Sequence, residues 1–498
     1  MKAFLLYKDQ DFDLEGKLPA NEQALTQDLE LQTLFNAMAL QDKVLYDVAR
    51  KVVLSALKDV DAIRYRQDVL KDCLKNEPIV RGMYDLAVES MEKEKKFYLG
   101  IFSNYPSTIL HRSVDVLRMF VDQLKGLRAI ADEHSQEFHS EGFTRLFNML
   151  KAELDEPYFA AIQYHLRELA FRDGVLISAD LGQGNKATNY VLRKPQNRQA
   201  LVKRIFAKRL PSYSFSISER DENGAKALAE LRDKGINLVA NALAQSTDHI
   251  LGFFAMLRTE LAFYVGCLNL SGRLAAKGEP ACFPEPAPPQ EHELTFRGLY
   301  DLCLSLNMEQ RVVGNDANAD GKDLMIITGA NQGGKSTLLR AIGLAQLMMQ
   351  SGMFAPAELF RSNVCAAVFT HYKREEDTSM KSGKLDEELN RMSQIVDGLT
   401  PNSLLLFNES FAATNEREGS EIARQIVRAL SEKRIKVFYV THLHDFARSF
   451  YDGNVENAIF LRAERKENGA RTFKLFEGEP LETSFGEDLY RKIFDTEN

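Results

Sequence analysis

The chain has 498 residues, 45% of them hydrophobic and 27% charged, as expected for a globular protein of roughly two to four domains. Its net charge of -8 at pH 7 excludes a general attraction to nucleic acid, so any such contact has to be local. The five cysteines are scattered without a Cys-x-x-Cys spacing, which indicates neither a disulfide framework nor a zinc site.

The N-terminal residues and the hydropathy pattern give no targeting or membrane signal. The first residues contain only a short apolar run and then turn acidic, unlike a signal peptide. No stretch reaches the roughly 18 consecutive apolar residues of a membrane-spanning helix. We therefore expect a cytoplasmic protein without a membrane segment.

The first third of the chain has a helical pattern. From 29 to about 124, apolar residues such as Leu31, Leu34, Phe35 and Met38 recur every three or four positions, which places them on one helix face. The sequence Asn-Glu-Pro at 76–78 predicts a helix end followed by a new helix. Long amphipathic helices continue to about 169.

A small β element interrupts this helical array at about 171–217. An Asp-Gly turn precedes the apolar stretch 175–179, and 190–192 and Tyr213–Ile217 are further strand candidates. The pattern becomes helical again from 225 to 277. Long helices that connect a distal β element to the rest of the chain would suit a lever.

The same region carries the strongest basic run of the chain. No acidic residue occurs between Asp180 and Glu219, and Tyr190 and Tyr213 lie among the basic residues. We interpret the run as a contact surface for the phosphate backbone of DNA. The alternative is a solvated basic face that pairs with acidic helices elsewhere. The eight basic residues are Lys186, Arg193, Lys194, Arg198, Lys203, Arg204, Lys208 and Arg209.

A proline-rich segment marks the main predicted domain boundary. Residues 282–289 hold four of the 14 prolines of the chain, which disfavours both a helix and a central strand. We therefore predict a linker there. After residue 291 strands and helices alternate, as in a parallel α/β sheet.

A glycine-rich loop at Gly329 to Ser336 follows an apolar strand and precedes a helix. It fits Gly-x-x-x-x-Gly-Lys-Ser/Thr at every fixed position. Glycines let backbone N–H groups turn towards a phosphate, and the helix N-terminus adds partial positive charge. Lys335 can then reach the β- and γ-phosphates of a nucleotide, and the Ser336 hydroxyl can ligate Mg²⁺. The alternative is a strand–helix turn that binds nothing.

Two later strands end in polar residues that suit the same site. The apolar run 403–407 is followed by Asn408 and Glu409, and the run 437–440 by Thr441 and His442. The carboxyl ends of neighbouring parallel strands form the ligand crevice of such sheets. Glu409 can orient or activate water, Asn408 can offer an oxygen to Mg²⁺, and His442 can donate to a γ-phosphate.

These motifs resemble the ATPase domain of the MutS family, a branch of the ABC-type ATPases. The resemblance lies in GANQGGKSTLLRAIGLAQLMMQSGMFAPA, in LLLFNES and in YVTHLHDFA, and it covers about 291–493. Upstream, LQTLFNAMALQDKVLYDVARKVV and YRQDVLKDCL resemble the family's helical core and lever domains less specifically. The resemblance implies an α/β P-loop ATPase domain at the C-terminus, preceded by a mostly α-helical region with a small β insertion. It implies three domains: 1–125 as helical core, 126–284 as lever, and 285–498 as ATPase.

The resemblance also implies ATP and Mg²⁺ as cofactors, a homodimer and DNA as a partner. Catalytic roles fall on Glu409, His442 and Lys335, and Mg²⁺ contacts on Ser336 and Asn408. A signature loop at Ser382 and Gly383 would reach the nucleotide across the dimer interface. The implied nucleotide-binding residues are Gly329, Asn331, Gly333, Gly334, Lys335, Ser336, Thr337, Ser382 and Gly383.

The sequence departs from the family pattern in three ways. The chain begins near the helical core, so the domains that recognise mispairs in mismatch-repair members are expected to be absent. Asn408 replaces the usual aspartate, which should weaken Mg²⁺ affinity. The signature loop continues as SGKLDEEL, in which Lys384 could supply a positive charge to the γ-phosphate.

Two functions of different classes follow. The first is an ATP-hydrolysing, DNA-binding protein of MutS type that acts as a dimeric, nucleotide-gated clamp in DNA repair or recombination. The second is a nucleotide-gated interaction module with little or no ATP turnover, which Asn408 and the negative net charge favour. A third reading, the ATPase subunit of a transporter, fits the long helical array poorly.

Overall fold

The computed structural model describes residues 1–97, 105–171, 174–194, 213–374, 383–465 and 471–480. These residues form both helices and strands, which confirms the predicted mixed α/β class. The α-helices are α1 (Glu22–Asp28), α2 (Leu31–Ala39), α3 (Lys43–Leu54), α4 (Val60–Lys75), α5 (Glu77–Lys95), α6 (Pro106–His134), α7 (Glu141–Glu153), α8 (Glu156–Glu168), α9 (Glu222–Lys277), α10 (Leu302–Asn307), α11 (Lys335–Gln350), α12 (Lys384–Gly398), α13 (Glu416–Glu432) and α14 (His444–Asp452). The strands are β1 (Leu176–Leu181), β2 (Ala187–Arg193), β3 (Glu285–Ala287), β4 (Leu294–Leu299), β5 (Asn315–Asn318), β6 (Leu324–Thr328), β7 (Leu359–Asn363), β8 (Val368–Tyr372), β9 (Leu404–Asn408), β10 (Lys436–Val440), β11 (Ala458–Arg465) and β12 (Arg471–Glu477).

The chain divides into two compact units, both of which contain part of α9. The first unit comprises Met1–Ala3, Arg81–Gln136 and Arg145–Arg258, and the second comprises Phe4–Val80, Glu137–Thr144 and Thr259–Asn498. The three domains predicted from the sequence have other boundaries. That division remains a prediction about domain organisation.

The first unit is built mainly from long helices. Helix α8 begins where the Asp155 carboxylate accepts a hydrogen bond from the Tyr158 N–H at 2.8 Å, which satisfies a free donor of its first turn. Helix α6 begins with Pro106, whose fixed φ suits a first helical position. Phe120 of α6 and Phe254 of α9 stack in its core with ring centroids 5.6 Å apart.

A two-stranded hairpin lies in the first unit. Strands β1 and β2 are antiparallel, with Leu176 opposite Arg193, which confirms two of the predicted strand segments. The third prediction is wrong, because Tyr213–Ile217 form no strand. Tyr213 is 92% exposed, and no described strand lies beside it. A high β-propensity without a partner strand does not make a strand.

The helices of the second unit begin and end at local sequence signals. The carboxylate of Asp42 accepts from the Val44 and Leu45 N–H groups at the start of α3. Asp59 caps α4 in the same way, through the Ala62 N–H at 2.8 Å. Helix α4 ends at Lys75 and α5 starts at Glu77, which confirms the predicted interruption.

A six-stranded sheet forms the centre of the second unit, in the order β12-β11-β6-β10-β9-β8. All neighbouring pairs are parallel except β11 with β12. Strands β6, β9 and β10 are mostly apolar and buried along almost their whole length, as expected of a parallel sheet covered on both faces. Phe407 of β9 and Tyr439 of β10 stack at 4.8 Å, and Phe446 of α14 packs on Tyr439. Each such side chain contributes about 1.5–3 kcal/mol through burial.

A second sheet has the order β3-β7-β4-β5. Strand β3 lies in the proline-rich segment that the sequence predicts as a linker, and it pairs in parallel with β7. Pro286 and Ala287 are buried. The segment is therefore an edge strand packed on the second unit rather than a free linker. A proline is tolerated there because an edge strand leaves N–H positions without a ladder partner.

Among the described helices, α9 contains a stretch that is long and apolar enough to cross a membrane by length and composition alone. Within that stretch, 67% of the residues are buried inside the protein. This burial fits a helix of a protein core.

Candidate nucleotide-binding site

The candidate site lies where β6, β9 and β10 end. Strand β10 lies between the other two, and its Val440 is in register with Ile327 of β6 and Asn408 of β9. The residues that follow these three strands therefore meet at one edge of the sheet. The sequence predicted this convergence from three apolar runs and the polar residues after them.

The glycine-rich loop follows β6 and leads into α11. Gly329 has φ of 113° and Gly334 has φ of 92°, values that side chains rarely allow. A Cβ at Gly329 would lie 2.8 Å from the Ala463 backbone nitrogen, and one at Gly333 would lie 2.9 Å from the Ala330 carbonyl oxygen. Glycine is thus required at Gly329 by contact and by conformation, and at Gly333 by contact.

Lys335, at the start of α11, is buried, and its ammonium is held inside the loop. Its Nζ donates to the carbonyl oxygens of Gly329 at 2.8 Å and Ala330 at 2.9 Å. Burial lowers the pKa of Lys335 to about 8, while the charge of Glu409 opposes that shift. A buried cation that is hydrogen-bonded to carbonyl oxygens favours an anion beside it. The loop therefore fits a phosphate group.

Ser336 and Asn408 bring two oxygen atoms together next to the loop. The Ser336 hydroxyl donates to Asn408 Oδ1 at 2.8 Å. Hydroxyl and amide oxygens are ligand types that Mg²⁺ accepts, together with phosphate oxygens and water. The pair fits the metal role that the resemblance implies.

Glu409 and His442 form a second pair, in which Glu409 directly follows β9 and His442 lies two residues after β10. His442 Nε2 lies 2.9 Å from Glu409 Oε1, and both side chains are partly exposed. The hydrogen bond from His442 is the largest cause that lowers the pKa of Glu409, and burial opposes it. Glu409 therefore stays ionised at neutral pH, as a group that orients or activates water requires.

The other predicted nucleotide-binding residues that the structure describes lie in the glycine-rich loop, in the first turn of α11 and directly before α12. Asn331 is exposed in the loop, and Thr337 is half-buried in the first turn of α11. Gly383 is exposed and directly precedes α12, whose first residue is Lys384. Ser382 lies outside the described residues.

The predicted DNA contacts lie only partly within the described residues. Lys186, Arg193 and Lys194 are exposed on or beside β2. Arg193 Nε donates to Ser178 Oγ at 2.8 Å, and Lys194 lies over the ring of Tyr164 at 4.8 Å. These three cations share one hairpin. The other five predicted contacts, Arg198, Lys203, Arg204, Lys208 and Arg209, lie outside the described residues.

Three residues that the sequence did not indicate contact the glycine-rich loop or the segment after Glu409. Arg471, at the start of β12, donates to the Gln332 side chain in the glycine-rich loop. Its charge contributes to the lowered pKa of Lys335. His371 contacts the Ser410 hydroxyl and Glu388 accepts from the Phe411 N–H, both in the segment that follows Glu409. The polar residues Thr-His-Tyr at the end of β8 were a signal for His371, since β8 is the neighbour of β9.

Comparison with known proteins adds independent information. A family model described as the MutS2 N-terminal domain matches residues 58–277. A model described as MutS domain V matches residues 325–492, which include the glycine-rich loop, Glu409 and His442.

Relatives with curated names match the same chain at low identity. It is 29% identical to MutS protein homolog 4 of Mus musculus, over 55% of this chain and 29% of the relative. It is 32% identical to Endonuclease MutS2 of Lacticaseibacillus casei, over 41% and 27%. It is 24% identical to DNA mismatch repair protein MutS of Chlorobaculum parvum, over 80% and 49%. The chain thus spans half or less of the length of these relatives.

Two parts of the chain match two domain types of one family, and the curated relatives carry that family's name. The strand ends, the glycine-rich loop and the Glu409–His442 pair all lie within the second matched part. The chain belongs to the MutS family.

Proposed function

We propose that this protein binds and hydrolyses ATP and that its nucleotide state controls its binding to DNA in repair or recombination. The observation that carries the proposal is the convergence of three features at one sheet edge. They are the buried Lys335 ammonium, the Ser336–Asn408 oxygen pair and the Glu409–His442 pair. The match to MutS domain V over the same residues supports it.

The chain's own residues divide the chemistry between them. The loop N–H groups and Lys335 bind the triphosphate, and the glycines let the backbone approach it closely. Ser336 and Asn408 would hold Mg²⁺, which neutralises charge on the β- and γ-phosphate oxygens. The Glu409 carboxylate orients the attacking water, and His442 holds that carboxylate in place and ionised.

The proposal extends to assembly and DNA. MutS relatives are matched over both the helical region and the nucleotide-binding region, so we propose a P-loop ATPase of ABC type that works as a homodimer. The Gly383 loop would reach the nucleotide of the other subunit. The cations of the β1–β2 hairpin would contact DNA phosphates, because phosphate contacts supply most of the sequence-independent affinity.

One residue favours a second candidate function. Asn408 carries no charge, and a neutral ligand holds Mg²⁺ less tightly than a carboxylate does. A nucleotide-gated interaction module with little turnover would tolerate this weakness better than a fast hydrolase.

Phosphate release from Mg-ATP, measured with and without DNA, separates the two candidates. We expect turnover in the unmodified protein, a change in its rate when DNA is added, and a loss of at least about 100-fold in Glu409→Gln. Lys433→Ala, an exposed lysine in the same compact unit, is the control and should keep full activity. A rate of zero that Glu409→Gln leaves unaltered would favour the interaction module.

A further inference from the structure

The backbone that carries Glu409 is held in an unusual conformation. Glu409 has φ of 54° and Phe411 has φ of 62°, so two residues with side chains adopt the left-handed region within three positions. Such a conformation persists only where surrounding contacts impose it. The contacts around Ser410, between these two residues, therefore decide where the Glu409 carboxylate points.

Glu388, on α12, makes one of these contacts. Its Oε2 accepts a hydrogen bond from the Phe411 N–H at 2.7 Å, and the side chain is buried. Tyr439, on β10, donates its hydroxyl to the Ser410 carbonyl oxygen at 2.7 Å. The two side chains thus hold the two polar atoms of one peptide group, the one that joins Ser410 to Phe411.

A second connection runs from the backbone of Glu388 through His371. The His371 Nε2 lies 3.0 Å from the Glu388 carbonyl oxygen, and Nδ1 lies 2.7 Å from Ser410 Oγ. Because a carbonyl can only accept, Nε2 carries a proton. The single proton of the Ser410 hydroxyl lies between two acceptors of the same residue, His371 Nδ1 and the His371 carbonyl oxygen at 2.5 Å. Burial lowers the pKa of His371 to about 4, so the ring is neutral, and it stacks on Phe411 at 5.2 Å.

We infer that Glu388 is a positioning residue for Glu409. The position of α12 sets the backbone of 409–411 through the carboxylate of Glu388 and through its carbonyl oxygen by way of His371. A displacement of α12 would turn the Glu409 carboxylate away from the attacking water without touching the loop that binds the phosphates. This inference rests on the proposed ATPase function, and it adds a route from α12 to the hydrolysis step.

The test compares three variants with the unmodified full chain. Glu388→Ala removes the acceptor of the Phe411 N–H, whereas Glu388→Gln keeps an acceptor oxygen of the same reach. Asp397→Ala removes an exposed carboxylate from the far end of the same helix and serves as the control. The measurements are kcat and KM for phosphate release, and the affinity for a fluorescent, non-hydrolysable ATP analogue.

We expect Glu388→Ala to lower kcat about 10- to 100-fold, since a misplacement of about 1 Å at a reacting group has effects of this size. Analogue affinity should stay within about twofold, because the phosphate loop is not altered. Glu388→Gln should recover most of the lost kcat, and Asp397→Ala should match the unmodified protein. A purely structural defect would lower binding and turnover together and would not separate the two substitutions in this way.

If Glu388→Ala does not fold, Glu388→Gln and Tyr439→Phe decide the matter. Tyr439→Phe removes only the hydroxyl that holds the Ser410 carbonyl, so it should lower kcat while analogue affinity is kept. Unchanged kcat in folded Glu388→Ala or in Tyr439→Phe overturns the inference, and so does a loss in Glu388→Ala that Glu388→Gln fails to restore. Absence of turnover in the unmodified protein would overturn the proposed function itself, which is a different result.

Discussion

The strongest influence on the pKa of Glu409 is its neighbour His442, with smaller contributions from the charges of Lys335 and Lys373. His442 provides both the hydrogen bond and a charge that lower the pKa of the Glu409 carboxyl group. A lowered pKa means that the pair stabilises the folded protein above pH 4.5, the ordinary value. That contribution is lost as the pH falls through the folded-state pKa.

Replacing His442 with alanine should therefore raise the pKa of Glu409 towards its ordinary value. The acid limb of the dependence of kcat on pH would move to higher pH, because the carboxylate is protonated sooner. His249→Ala, on an exposed face of α9, is the control and should leave the profile in place. An acid limb that does not move in His442→Ala would contradict the pairing seen in the structure.

The side chain at position 408 should set the Mg²⁺ requirement of turnover. Asn408→Asp places a carboxylate 2.8 Å from the Ser336 hydroxyl, where a neutral oxygen now accepts its proton. A charged ligand binds Mg²⁺ more strongly, so half-maximal turnover should need less Mg²⁺. A titration of turnover against Mg²⁺ at fixed ATP measures the shift. No change in the Mg²⁺ requirement would remove Asn408 from the metal site.

Among the elements, α11 is fixed at both ends. It begins with Lys335 in the glycine-rich loop, and the carbonyl of Ser351 after its last turn accepts from Arg66 of α4 at 3.1 Å. The guanidinium of Arg66 is fully buried, and it also donates twice to the Leu6 carbonyl oxygen. Arg66 thus joins α4, the N-terminal segment and the end of the nucleotide-site helix within the second unit.

Gly352 tests the strength of this junction. A Cβ there would lie 2.6 Å from Arg66 Cβ, and its φ is 74°. Gly278 has a similar φ of 66° with nothing near its Cβ position, so it is a matched control. Gly352→Ala should lower the free energy of unfolding by about 1–3 kcal/mol more than Gly278→Ala, since overpacking adds to the backbone strain. Equal effects in chemical denaturation would show that Arg66 adapts without loss.

The sequence predicted elements well where the signal was local. The apolar runs of β6, β9 and β10, the glycine-rich loop and the break at Asn76 were readable because each depends on adjacent residues. Strand pairing is not local, so the β3 edge strand looked like a linker and Tyr213–Ile217 looked like a strand. Glu388 carried no signal, because its role comes from a contact with Phe411, 23 positions away.

Across the whole molecule, charge is distributed unevenly. The net charge is -8, yet Lys186, Arg193 and Lys194 share one exposed hairpin. Reversing all three to glutamate should weaken DNA binding and reduce the salt dependence of log K by about 0.9 for each lost phosphate contact. Lys43→Glu, an exposed reversal in the other compact unit, is the control. Unchanged affinity and unchanged salt dependence would remove this hairpin from the proposed DNA surface.

On the proposed function, the glycine-rich loop and Lys335 bind the phosphates of ATP. Calorimetric titration of the purified chain with Mg-ATP tests it most directly, with Lys335→Ala and Glu409→Gln measured alongside. We predict saturable binding of one ATP per chain, a loss of binding in Lys335→Ala, and retained binding in Glu409→Gln. No heat of binding in the unmodified protein, or undiminished affinity in Lys335→Ala, would contradict the account.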